Sequence, residues 1–115
     1  MARVVAFVPD LLFGSNVLGA LRAAGHDAVL VGDLDALKRE LPGAAALVVD
    51  LTVDPSERVE QVSAIPRPGV KTLAFYSHVE ADVRSRAEQA GFDLVVPRSR
   101  MAREGAALVT RLTTG

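Results

Sequence analysis

Six consecutive apolar residues, Ala44 to Val49, run straight into the carboxylate of Asp50. A strand with one wet face alternates apolar and polar residues. An unbroken apolar run means that both faces are covered, which is the habit of a parallel sheet sandwiched between helices. Asp50 then falls at the C-terminal edge of such a strand, where open α/β sheets place their ligand crevices.

The rest of the chain repeats the unit. Arg3 to Val8 reads as a first strand, stopped by Pro9, which cannot donate to a ladder. Ser15 is placed to cap a helix whose stripe is Val17, Leu18, Leu21 and Ala24, ending at Gly25. Ala28 to Val31 is a second strand. Gly32-Asp33 opens a helix with Leu34, Leu37 and Leu41 on one side, closed by Pro42-Gly43. After the central strand, Asp54-Pro55-Ser56-Glu57 has the spacing of a capping box with proline at the first helical position. Val59, Val62 and Ile65 supply that helix's apolar side.

Lys71 to Tyr76 is a fourth strand, and Ser77 with Glu80 repeats the box before a helix ending at Ala90-Gly91. Asp93 to Val96 is a fifth strand, halted by Pro97. A last helix, from near Ser99 to Leu112, carries Met101, Leu108, Val109 and Leu112. Strands alternating with helices specify a doubly wound α/β fold: five parallel strands, order 2-1-3-4-5, helices on both faces, residues 1–115 forming one domain.

Totals narrow the function classes. The chain has no cysteine, which removes disulfides, thiolate metal sites and cysteine nucleophiles. A formal charge of -1 gives no pull toward nucleic acid or anionic membrane, and no run is long enough for a signal core or a span. A cytoplasmic location is the expectation.

In element order, in Asp50 at the end of strand three, and in the segment Ala87-Glu-Gln-Ala-Gly-Phe-Asp93, the chain resembles the receiver domains of two-component response regulators, a flavodoxin-like fold. The resemblance implies an acidic pair after strand one and an aspartate ending strand three that together hold Mg2+, with that aspartate accepting a phosphoryl group. It also implies a hydroxyl residue ending strand four and a lysine ending strand five. Here the acidic pair is Pro9-Asp10. Asp50 matches the phosphoacceptor, Tyr76 takes the hydroxyl position with Ser77 one residue late, and the lysine position holds Val96 or Pro97 with Arg98 nearest. An arginine fork does not reproduce the mobile point charge of a lysine. The expectation is a stand-alone pseudo-receiver: a regulatory or protein-interaction module, not an enzyme, without a required cofactor. Its partner, or a second copy, would meet the face of helix four, strand five and helix five.

Two other readings use the same edge. Asp10 and Asp50 make a candidate metal pair, with Asp50 then a phosphorylatable carboxylate. A small anion would instead be held by Ser15, Asn16, Ser77, His78, Arg98, Ser99 and Arg100. That reading rests on the three helix starts and on the conflict between Arg98, Arg100 and Arg103 and a helix N-terminus, which attracts anions. No Gly-x-Gly-x-x-Gly or Gly-Lys-Ser/Thr pattern supports a nucleotide.

Overall fold

The computed structural model describes residues 2–77 and 80–114. The elements run β1 (Arg3–Phe7), α1 (Leu11–Ala23), β2 (Asp27–Val31), α2 (Leu34–Glu40), β3 (Ala46–Asp50), α3 (Pro55–Ser63), β4 (Lys71–Tyr76), α4 (Ala81–Gln89), β5 (Leu94–Pro97) and α5 (Arg98–Thr114). The strands form one parallel sheet in the order β2-β1-β3-β4-β5, as the alternation requires.

All five residues of β3 are buried, and β3 pairs with β1 on one side and β4 on the other. Its side chains divide by the two-residue alternation of a strand. Leu47 and Val49 join an apolar layer with Leu37, Val62, Val83 and Ala87, from α2, α3 and α4. Ala46 and Val48 join a second layer with Val17, Leu21, Met101, Leu108 and Val109, from α1 and α5. By the same alternation Asp50 belongs to the α1/α5 side. Pro97 ends an edge strand, where its missing N–H costs no ladder bond.

Three helix starts differ from expectation. α1 begins at Leu11, and its N-cap is Asp10, whose Oδ1 accepts from the Leu12 and Phe13 amides at 3.0 and 3.2 Å. Ser15 therefore lies inside the helix. A charged oxygen already holding the first free amides leaves a later serine nothing to cap. Asp54 does precede α3, but at φ 48°, and its side chain makes no cap bond. α4 begins only after Glu80, again without a side-chain cap, and Glu80 N–H donates to the Ser77 carbonyl at 2.9 Å. Ser77 thus lies ahead of the helix, whose N-cap position is Glu80.

The Ala-Gly-Phe-Asp segment has a physical explanation. Ala90 ends α4, Gly91 turns the chain at φ +93°, and the Phe92 amide returns to the Ala87 carbonyl at 3.2 Å while its ring enters the core. Asp93 then clamps two strands together. Its Oδ2 accepts from Thr72 N–H at 2.7 Å, and its own N–H donates to Thr72 Oγ1 at 3.1 Å. Thr72 is buried, so removing the carboxylate strands its amide. Asp93→Ala is expected to cost about 1–2 kcal/mol, seen as a melting temperature roughly 5 °C lower. An unchanged melt would mean the clamp contributes nothing.

At the sheet's far end, His26 is buried and bridges two termini. Thr110 Oγ1 donates to the Ala106 carbonyl at 2.9 Å, so the 2.8 Å contact between His26 Nε2 and that hydroxyl has the ring donating. Nδ1 then accepts from the Ala2 amide at 3.4 Å.

Candidate functional site

The parallel register decides what surrounds Asp50. Across the sheet, Asp50 lies level with Phe75 of β4, and Phe75 lies level with Val96 of β5. Both are fully buried. Tyr76 lies one residue further along, level with Pro97, and belongs to the apolar layer on the opposite face. The residues abreast of Asp50 therefore carry no hydroxyl and no cation.

Asp50 is 5% exposed. Its Oδ1 accepts from the Thr52 amide at 2.8 Å and from the Thr52 hydroxyl at 2.6 Å. This closes a local turn in which the carboxylate satisfies the backbone just past its own strand. The arrangement explains why a charged group survives at the end of an otherwise apolar strand.

Asp10 is committed too. Besides capping α1 with Oδ1, it offers Oδ2 to Arg98 Nη2 at 3.7 Å. The Arg98 guanidinium lies 4.3 Å from the centroid of the Phe13 ring, and Phe13 packs 5.1 Å from Phe75 at an interplanar angle of 47°. Arg98, Phe13 and Phe75 thus form a continuous stack from α5, across α1, to the residue beside Asp50. On the opposite face Arg58 of α3 covers the end of β1 in the same manner, 4.4 Å over the Phe7 ring, with its Nη1 buried and unpaired among the described residues. A cation–π contact thus lies on each face of the sheet at this edge.

The remaining candidate residues are scattered. Ser15 and Asn16 are exposed on α1, beyond its first turn, so their amides are not the free donors of a helix start. Gly14, part of the same suspected phosphate loop, is a packing glycine. A Cβ there would meet Leu30 Cδ1 at 3.0 Å and the Val8 carbonyl at 3.2 Å. Ser77 is half-buried after the end of β4, and His78 lies outside the described residues. Arg100 pairs with Glu104 one helical turn on, at 3.4 Å, and Ser99 is exposed in the first turn of α5. Of the three arginines at this helix start, Arg98 is paired with Asp10 and Arg100 with Glu104.

The fit of a divalent cation follows from the donor set. Mg2+ demands octahedral oxygen ligands. Here Asp10 is engaged through both oxygens and Asp50 through one. Among the described residues, no group of three or more His, Cys, Asp or Glu could hold a metal ion. The residues present do not fit the ion that the resemblance implied.

The sequence reading missed Thr52, Phe75 and the role of Phe13. Thr52 had a signal in the spacing Asp-x-Thr, a turn motif. Phe75 had none, because strand register is not written in a single strand.

No protein-family model matches the chain, and no curated protein matches it in sequence. Its fold has close likenesses. A response regulator from Thermotoga maritima superposes with a TM-score of 0.82 at 16% identity, covering 100% of this chain and 99% of that one. A response regulator receiver protein from Burkholderia phymatum gives 0.82 at 18%, covering 99% and 96%. A CheY-like protein from Pseudomonas aeruginosa gives 0.78 at 20%, covering 100% and 95%.

Proposed function

The chain has the receiver fold, and on that premise we propose that it is a pseudo-receiver, a regulatory module that works through contact with a protein partner and not through phosphoryl transfer. One observation carries the reading: Asp50 is level with Phe75 on the neighbouring strand and, one strand further, with Val96, and it has its carboxylate turned onto Thr52. A phosphoryl group on Asp50 would turn its single negative charge into about two, beside the phenyl ring of Phe75. Transfer needs charge stabilisation at the developing oxyanions, and the flanking positions supply none.

Three large apolar side chains stand in water at or near this edge. Leu11 and Leu12 are 76% and 77% exposed at the start of α1, and Val53 is 63% exposed in the loop after β3. Their exposure supports a protein contact there. The face of α4, β5 and α5 is the second proposed surface, for a partner or another copy. No helix among the described residues is long and apolar enough to cross a membrane. The anion reading has less support, since Arg98 and Arg100 have carboxylate partners.

Beryllofluoride with magnesium, a mimic of an aspartyl phosphate, tests the reading. Amide NMR shifts of residues 50–54 and 74–77 are expected to stay in place. Saturable movement of those resonances would show a working phosphoryl site and refute the pseudo-receiver assignment.

A further inference from the structure

The opposite end of the sheet, where β3 and β4 begin, carries a groove of 580 Å³ between the α2–β3 and α3–β4 loops. That lies within the range of about 300–1,000 Å³ typical of small-molecule sites. Its floor is apolar, with Leu41, Ile65, Pro66 and Val70. Its only ionisable residues are Lys38 and Arg67, and none of the lining residues is acidic.

The two cations are differently placed. Arg67 turns Nη1 inward, donating to the Val62 and Ile65 carbonyls at 3.1 and 3.2 Å, which satisfies the C-terminal end of α3. Its position is thereby fixed, and among the described residues it has no ion pair. Lys38 is exposed in the last turn of α2 and likewise makes no ion pair among the described residues. Its neighbour Glu40 is taken by Arg3 at 2.8 Å. Against an anion stand the C-terminal ends of α2 and α3, whose carbonyl dipoles carry partial negative charge. Arg67 offsets the second and Lys38, in the last turn of α2, the first, so a negative head group is best placed at the rim between these two cations.

We propose that this groove binds an amphipathic monocarboxylate, with its alkyl chain over Leu41, Ile65 and Val70 and its carboxylate met by Lys38 and Arg67. A purely apolar ligand would leave the cations unused, and a cationic one would be repelled by both. The proposal is independent of the assignment of the Asp50 edge, from which it is separated by the length of the sheet.

The test titrates sodium octanoate, octyltrimethylammonium bromide and sodium acetate into the full chain, followed by amide NMR shifts. Octanoate is expected to give saturable shifts confined to residues 38–44 and 64–70. Octyltrimethylammonium should bind at least tenfold more weakly, and acetate should move nothing. Decanoate should bind about tenfold more tightly than octanoate for its two extra methylenes. Lys38→Glu, at an exposed position that leaves the fold intact, should weaken octanoate at least fivefold. Equal binding of the two head groups, shifts elsewhere, an indifferent Lys38→Glu, or shifts that track protein concentration and so report a second copy would each overturn the proposal.

Discussion

Val49→Asp is expected to abolish the folded state. Val49 is fully buried in β3, with paired strands on both sides and the α2–α4 layer above it. A carboxylate there has no donor to meet it, and an unpaired buried charge costs about 4–5 kcal/mol or more. A domain of this kind holds only about 5–15 kcal/mol in total. Loss of the cooperative thermal transition, or insoluble expression, is the expected observation. Val53→Asp, a few residues away but 63% exposed, should melt within a few degrees of wild type. If the two variants behaved alike, the central position of β3 would be wrong.

Phe75→Ala should have the next largest effect. Phe75 is fully buried on β4 and supports the Phe13 ring, which in turn carries the Arg98 guanidinium. Truncation removes a large ring and leaves a cavity that neighbouring strands cannot collapse into, a loss of about 3–5 kcal/mol. The melting temperature should fall by on the order of 10–20 °C. Phe13→Ala should cost less, because that ring is half-buried. A Phe75 variant no worse than the Phe13 variant would show that the stack is not anchored in the sheet.

The architecture was legible because it rests on patterns that burial enforces. Ala44 to Val49 could only be covered on both faces, and the alternation of such runs with helical stripes leaves few topologies. The helix starts were less legible. Ser15, Asp54 and Ser77 each fit a capping pattern, yet among the described residues none makes the cap bond. Asp10 outcompeted Ser15 because it lies nearer the strand and carries a full charge. The two box-like segments were settled by loop geometry, with Asp54 held at φ 48°. Spacing states which residues are able to cap, while the path of the loop decides whether they do.

The edge itself was half legible. Asp10, Asp50 and Arg98 were recognised as belonging to one end of the sheet, and the structure joins Asp10 to Arg98. What the sequence concealed was register. The sequence spacing brought Tyr76 abreast of the hydroxyl position, whereas the ladder puts Phe75 level with Asp50. A step of one residue changes the face and the neighbour. Here it exchanges a phenol for a phenyl ring. Arg100 and Glu104 are spaced four apart, a pairing legible in the sequence, whereas Arg98 meets Asp10 through the β5–α5 junction.

Intact-mass measurement after incubation with acetyl phosphate and magnesium decides whether Asp50 accepts a phosphoryl group. Wild type and Asp50→Asn are both expected to stay unmodified, because the positions abreast of Asp50 hold Phe75 and Val96 and the donor set does not suit the metal. A stoichiometric phosphoryl adduct on the wild type that disappears in Asp50→Asn would contradict the pseudo-receiver assignment.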